Sequence, residues 1–156
     1  MIVGTPEEME ALGRRLAGEL RAGDLVLLNG ELGAGKTTLT RGIGAGLGVR
    51  GTVTSPTFVL ARTHPRGEGE PPLVHVDAYR LGSALELDDL DIDFAGSIVV
   101  VEWGAGLVDA DEWLQIDLER PAAAVGDPDV EAEPRVVTIT AHGPRWQGVL
   151  ADAARD

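Results

Sequence analysis

Residues 30–37 read GELGAGKT, and this stretch decides the fold. It matches the phosphate-binding pattern G-x-x-x-x-G-K-[ST] at every fixed position. The apolar run LVLL at 25–28 predicts a buried strand before it, and residues 36–47 predict a helix after it. The alternative is a chance glycine-rich turn, which this strand–loop–helix context disfavours.

Each kind of residue in this loop has a separate task. Glycine lets the backbone wrap closely around an anion, and the N–H groups from about Gly33 to Thr37 should point inward at the positive end of the helix dipole. Lys36, the only lysine in the chain, is expected to follow the β- and γ-phosphates. We expect the Thr37 hydroxyl to bind Mg²⁺ and Thr38 to reach the α-phosphate. The predicted nucleotide-binding residues are Glu31, Leu32, Gly33, Ala34, Gly35, Lys36, Thr37, Thr38 and Trp103.

Length and composition limit the class of protein. A chain of 156 residues suits one domain, so we expect a single P-loop ATPase domain over 1–156, with a flexible acidic insertion at 120–134. The net charge of −13 argues against a DNA- or RNA-binding face, and the lack of cysteine excludes disulfides and thiolate metal sites. Residues 1–12 are too acidic for a signal peptide, and the longest apolar runs fall far short of the ~20 residues of a membrane span. We therefore expect a cytoplasmic protein.

The pattern along the chain predicts an α/β fold. Thr5 and Pro6 suit the N-cap and first position of a helix. The predicted elements are a helix to about Leu20, a strand at 25–28, a helix at 36–47, an antiparallel hairpin of 57–64 and 73–80, a short helix at about 83–90, a buried strand at 97–103, alternating strands at 113–119 and 135–142, and a terminal helix within 144–154. Residues 65–72 are predicted to form a mobile surface loop. We predict a P-loop NTPase-like three-layer sandwich with a mostly parallel central sheet plus antiparallel hairpin or edge strands.

The choice of nucleotide follows from two missing residues. GTPases of the Ras type read guanine with an Asn-Lys-x-Asp segment. The only asparagine here is Asn29 and the only lysine is Lys36, and both lie in or beside the phosphate loop. ATP is therefore favoured over GTP.

Two acids are candidates for the metal and for catalysis. A P-loop site needs an acid at the end of a neighbouring buried strand to hold Mg²⁺. Glu102 ends SIVVVE and is predicted to bind the metal together with Thr37. Asp77 would be a second ligand or would orient the attacking water, so Lys36, Asp77 and Glu102 form the predicted catalytic set. The alternatives are an ordinary strand-end carboxylate at Glu102 and an exposed hairpin acid at Asp77.

Other polar residues near these motifs have two interpretations each. Ser55 and Thr57 would sense Mg²⁺ or the γ-phosphate, or would simply cap a strand. Trp103 would stack near the nucleotide or anchor a partner protein. His75 shares a strand face with Asp77 and would hydrogen-bond near the site, or would be structural.

The order of the motifs resembles a known family. GELGAGKTTLTRG, VTSPTFVL, HVDAYRL, LDDLDIDF and VVVEWG follow one another over about residues 5–104 and together resemble the TsaE (formerly YjeE) family. This family comprises bacterial P-loop ATPases required for threonylcarbamoyladenosine in tRNA. The resemblance implies a cytoplasmic ATPase that uses ATP and Mg²⁺ and acts with TsaB and TsaD, which carry out the transfer to tRNA. It also implies a tRNA contact only through those partners.

The resemblance also assigns residues by motif position. It implies that Lys36 and Thr37 hold phosphate and Mg²⁺, that Glu102 is the metal acid, and that Asp77 is a functional acid. It implies that Thr57 belongs to a switch-like segment and that Trp103 lies near the nucleotide. The chain departs from the family pattern at Ala78, in the glycines of the phosphate-loop helix and in the insertion at 120–134, which bear on partner contact.

Two other functions fit a phosphate loop. A small-molecule kinase is the main alternative, and Arg62 and Arg66 in the segment 61–72 would then serve as lid arginines. Glu68 and Glu70 in the same segment weaken that interpretation. A nucleotide-binding scaffold without hydrolysis is the third.

Overall fold

Two helices and seven strands are formed by residues 1–30, 34–49, 61–77, 92–102, 112–119 and 134–146, which the computed structural model describes. The helices are α1 (Pro6–Ala17) and α2 (Lys36–Leu47). The strands are β1 (Ile2–Val3), β2 (Leu25–Gly30), β3 (Ala61–His64), β4 (Leu73–Asp77), β5 (Ile98–Glu102), β6 (Trp113–Glu119) and β7 (Arg135–His142). None of the described helices has the length and apolar character of a membrane-spanning helix.

The strands form one mixed sheet in the order β1-β7-β6-β2-β5-β4-β3. The four central strands β6, β2, β5 and β4 run parallel to one another. Strand β3 pairs antiparallel with β4, β7 with β6, and β1 with β7. This arrangement confirms the predicted α/β fold with a mostly parallel centre, an antiparallel hairpin and antiparallel edge strands. Because β2 lies in the middle, the loop that follows it opens at the centre of the sheet's carboxyl edge.

The two faces of the sheet carry separate apolar clusters. Alternate side chains of a strand point to opposite faces. On one face Leu28 and Val100 pack with Leu12, Leu39 and Ile43 of the helices. The other face carries a second buried cluster, made of Leu25, Leu27, Val74, Val76, Val99 and Val101. Both described helices therefore lie on one face, and the full three-layer arrangement stays a prediction because the helix predicted at 83–90 lies outside the described residues.

The ends of α1 follow from local hydrogen bonds. Thr5 is the N-cap, and its hydroxyl accepts a hydrogen bond from the Glu8 N–H at 3.1 Å, as the sequence predicted. The predicted end near Leu20 is wrong, because α1 ends at Ala17. From Gly18 to Leu20 each N–H bonds the carbonyl three residues earlier, which tightens the chain into a turn. Leu20 still packs against the core, so the helical spacing of apolar residues continues beyond the end of the helix.

Glycines allow α1 and α2 to pack with their backbones close together. A Cβ atom at Gly42 of α2 would overlap the carbonyl oxygen of Glu10 and lie 2.8 Å from its Cα. A Cβ at Gly13 of α1 would likewise lie 2.7 Å from the Ile43 nitrogen. Since each glycine costs a helix about 1 kcal/mol relative to alanine, close packing is the compensating gain.

Three details of the strands and the C-terminal turn differ from the prediction. The short strand β1 was not predicted, since two residues show no periodicity. Strand β2 continues beyond Leu28 to Gly30, because Gly30 pairs with Leu118 of β6. Of the predicted terminal helix the structure describes only a 3₁₀ turn, Pro144–Trp146, and the rest lies outside the described residues, as do residues 120–133 of the predicted insertion.

The 3₁₀ turn is attached to the amino edge of the sheet through Arg145. Its guanidinium donates to both carboxylate oxygens of the buried Asp24, at 3.0 and 2.9 Å, and to the Glu19 carbonyl at 2.7 Å. The same group lies 4.5 Å from the centre of the Trp146 ring. The attachment lies at the opposite edge of the sheet from the loop after β2.

Candidate nucleotide-binding site

Lys36 lies at the start of α2, directly after a glycine with a positive φ. Gly35 has a φ of 109°, in the left-handed region that favours glycine, and a Cβ there would lie 3.3 Å from the Met9 Cε of α1. The Lys36 side chain is buried, and its Nζ donates to the Gly30 carbonyl at 2.6 Å. The lysine thus bridges the two ends of the loop, and its ammonium stays near the N-terminus of α2.

The N-terminus of α2 suits an anion. Among the described residues no side chain caps this end of the helix, and its first turn holds no acid. Backbone N–H groups at such an end carry a partial positive charge. The end of β2 also packs tightly on β6, since a Cβ at Gly30 would lie 2.8 Å from the Leu118 carbonyl oxygen.

Glu102 and Asp77 lie side by side at the carboxyl edge. They are paired in register on the parallel strands β5 and β4, and Glu102 is also paired with Leu28 of β2. Residues in register share a face, and this is the face that α2 covers. Burial lowers the pKa of Lys36 below its ordinary 10.5, while the negative charges of Glu102 and Asp77 act in the opposite direction. The structure thus brings together all three predicted catalytic residues.

The oxygen donors here fit Mg²⁺. This ion prefers hard oxygen ligands and is usually held by one or two carboxylates plus phosphate oxygens. Glu102 offers a buried carboxylate, and Thr37 offers a half-buried hydroxyl one residue after Lys36. Two carboxylates beside one ammonium leave a net negative charge, which a divalent cation would offset.

His75 contacts the candidate metal acid directly. Its Nε2 lies 2.8 Å from the Glu102 Oε2, and the His75 side chain is 0 % exposed. The sequence placed His75 on the face of Asp77 and near the site, and this contact confirms the hydrogen bond. The sequence alone could not identify Glu102 as the partner of His75, because the two residues lie 27 positions apart.

Part of the predicted site lies outside the described residues. This holds for Glu31, Leu32, Gly33, Ser55, Thr57 and Trp103. Their roles stay predictions. Ala34 and Thr38 are described, and they flank Lys36 as buried and half-buried residues respectively.

A polar cluster that the sequence did not predict supports the strand before the loop. The Asn29 amide donates to the Asp117 Oδ1 at 3.1 Å, and the Gln115 amide donates to Asp117 Oδ2 at 3.2 Å. Asn29 alternates with Leu28 and therefore lies on the face opposite Glu102. The cluster fixes the end of β2 against β6.

The loop between β3 and β4 lies at the far end of α2. Arg66 donates from Nε to the Leu47 carbonyl at 2.8 Å and from Nη1 to the Pro71 carbonyl at 3.3 Å, and it forms an ion pair with Glu70 at 2.6 Å. Leu47 is the last residue of α2, and a helix of 12 residues is about 18 Å long. Most of the loop is exposed, as predicted, but Arg66 lies far from Lys36. This position disfavours Arg66 as a kinase lid arginine.

Comparison with known proteins gives consistent matches. A family model described as "Threonylcarbamoyl adenosine biosynthesis protein TsaE" matches residues 3–125. The chain is 59 % identical over 143 residues to "tRNA threonylcarbamoyladenosine biosynthesis protein TsaE" of Streptomyces coelicolor, covering 88 % of this chain and 93 % of that protein. It is 37 % identical over 154 residues to the Bacillus subtilis protein of the same name, covering 96 % and 90 %. The crystal structure of Bacillus subtilis YdiB is similar with a TM-score of 0.72 and 33 % identity, covering 99 % of this chain and 93 % of that chain.

Proposed function

Because the chain belongs to the TsaE family of P-loop ATPase-type proteins in tRNA modification, we propose that it binds ATP with Mg²⁺ and hydrolyses ATP during tRNA threonylcarbamoyladenosine biosynthesis. In this proposal it acts in the cytoplasm with TsaB and TsaD, and it reaches tRNA only through them. The net charge of −13 supports the last point, because a direct tRNA-binding surface would be basic.

The observation that carries the proposal is the position of Lys36. Its buried ammonium lies at the N-terminus of α2 and within electrostatic reach of Glu102 and Asp77. A triphosphate at this end of the helix would meet both the backbone N–H groups and the lysine, and the low local dielectric would strengthen the attraction. The carboxylates of Glu102 and Asp77 near Lys36 support a divalent cation as part of the same site.

Each residue then has one task. Lys36 stabilises the charge that develops on the β- and γ-phosphate oxygens. Thr37 and Glu102 would hold Mg²⁺, which neutralises phosphate charge when bound. Asp77 orients the attacking water by accepting a hydrogen bond from it, so that the water oxygen faces the γ-phosphorus. The new bond from the water oxygen to the γ-phosphorus replaces the bond to the β,γ-bridging oxygen, which stays with ADP, and phosphate is released.

The test measures phosphate release from ATP·Mg²⁺ by the protein alone, and then with TsaB and TsaD. We expect slow release alone and faster release with the partners. Failure of the partners to bind in the presence of ATP would refute their role, and phosphoryl transfer to a metabolite would support the kinase alternative.

Variants test the site itself. Lys36→Ala should weaken ATP binding at least tenfold in calorimetric titration, whereas Arg41→Ala, an exposed basic residue on the same helix, should not. Unchanged ATP affinity in Lys36→Ala would refute the site. Glu102→Gln should lose hydrolysis far more than stability, and full activity in that variant would move the metal role to Asp77.

A further inference from the structure

His75 is a polar residue at a place that otherwise favours apolar side chains. It lies in β4 beside Val100 of β5, on the face that α1 and α2 cover, and it follows the buried Leu73 on that face. Burying a polar ring without a hydrogen bond is unfavourable, so a buried histidine needs a partner. Among the described residues its one such contact is the Glu102 carboxylate.

Glu102 needs a fixed orientation if it is to hold a metal. A glutamate at the end of a strand has several rotatable bonds, and only some of its rotamers aim an oxygen at the phosphate loop. The His75 contact engages Oε2 at 2.8 Å and thereby restricts the rotation of the carboxylate. A group held in advance loses less entropy when its ligand binds.

The direction of this hydrogen bond follows from the charge of Glu102. A carboxylate that binds a metal is ionised and only accepts hydrogen bonds, so the His75 Nε2–H is the donor. The other ring nitrogen, Nδ1, is buried and has no partner among the described residues. A buried acceptor without a partner is tolerated better than a buried donor, which favours a hydrogen on Nε2 over one on Nδ1.

From these contacts we propose that His75 is a positioning residue that holds the Glu102 carboxylate in the orientation required for Mg²⁺ binding. The inference rests on the proposed function, since it assigns to Glu102 the role of metal ligand. His75 itself touches neither metal nor nucleotide in this proposal.

His64 provides a matched control within the same hairpin. It pairs in register with Leu73, so it lies on the same face of the sheet, and it is buried. Its Nε2 has no hydrogen-bond partner among the described residues, so this nitrogen forms no hydrogen bond to Glu102 of the kind that His75 forms. Replacing either histidine changes the core, but only His75 should change the metal site.

The experiment measures the Mg²⁺ concentration that gives half-maximal ATP binding, by calorimetric titration, together with the urea midpoint of each variant. Loss of a side chain that orients a metal ligand typically weakens metal binding about 10–100-fold. We expect a shift of that size in His75→Leu and none in His64→Leu. His75→Gln should restore most of the affinity, because its amide can donate where the ring N–H does, whereas the shorter His75→Asn should not.

The outcomes separate a positioning role from a merely structural one. In a Glu102→Gln background, His75→Leu should add no further shift in the Mg²⁺ dependence, because His75 acts only through that carboxylate. A lower urea midpoint with unchanged Mg²⁺ dependence in His75→Leu would overturn the proposal while leaving the metal role of Glu102 intact. If His75→Leu does not fold, equal Mg²⁺ dependence in the Gln and Asn variants would overturn it instead. Unchanged Mg²⁺ dependence in Glu102→Gln alone would refute the metal role as well.

Discussion

Replacing Gly42 by alanine should destabilise the protein, although the same change in an ordinary helix stabilises it. A Cβ at Gly42 would overlap the Glu10 carbonyl oxygen and lie 2.8 Å from the Glu10 Cα and 2.9 Å from its carbonyl carbon. These are backbone atoms of α1, which cannot rotate away as a side chain can. The two helices would have to separate.

The magnitude is the difference between two opposing effects. Alanine gains about 1 kcal/mol over glycine inside a helix, whereas overpacking a tight contact costs about 1–3 kcal/mol and occasionally more. Because three backbone atoms of Glu10 are too close, we expect the upper part of that range. The net loss should be about 1–2 kcal/mol, and each kcal/mol lowers the melting temperature of a domain this size by about 2–4 °C.

The assay is urea unfolding of Gly42→Ala beside Gly18→Ala. Gly18 ends α1 with a right-handed helical φ of −64°, and its Cβ would lie 3.5 Å from the Arg15 carbonyl oxygen, an ordinary contact. Gly18→Ala should therefore be neutral or stabilise by up to about 1 kcal/mol. ATP affinity should fall in Gly42→Ala alone, because α2 carries Lys36. A rise in the urea midpoint of Gly42→Ala similar to that of Gly18→Ala would refute the reasoning.

Three further changes test other contacts. Arg66→Ala should cost about 1–2 kcal/mol in urea unfolding through the lost bond to Leu47, without changing ATP affinity, since Arg66 lies at the far end of α2; a weakened affinity would contradict this. Burial lowers the pKa of His64 below its ordinary 6.5, so the unfolded chain binds a proton more readily and stability should fall as pH drops below 6.5. His64→Leu should show a flatter dependence between pH 8 and 5, and an equal slope would count against the buried neutral ring. Arg145→Met leaves the carboxylate of Asp24 buried without its ionic partner, so the free energy of unfolding should fall by about 3–5 kcal/mol in thermal unfolding. A much smaller loss would show that the pair contributes little.

Much of the fold was predictable because its signals are local. The loop from Gly30 to Lys36 lies between a strand and a helix that each show in a short window of sequence. Residues 98–101 are all apolar because a central parallel strand is buried on both faces. The alternation in β6 and β7 likewise reflects strands nearer the edge of the sheet.

The features that escaped prediction depend on which distant segments meet. The sequence predicts that Glu102 ends an apolar strand and that Asp77 lies in the second strand of a hairpin, but only the sheet order makes those strands neighbours. The His75–Glu102 hydrogen bond depends on the same register. The reason for a glycine at position 42 of a helix likewise lies in its close contact with the Glu10 backbone of α1. The predicted roles of Ser55, Thr57 and Trp103 remain for experiment to test.

The sheet order also bears on how the chain folds as it is synthesised. Strand β1 precedes every other described strand in the chain, and its one partner among them is β7, near the other end of the described residues. Its two residues are therefore synthesised long before β7, and they cannot pair with β7 until the central strands have been synthesised. The Asp24–Arg145 contact also joins distant residues, 121 positions apart. We therefore expect this side of the sheet to close late in folding, because contacts between segments far apart in sequence form slowly.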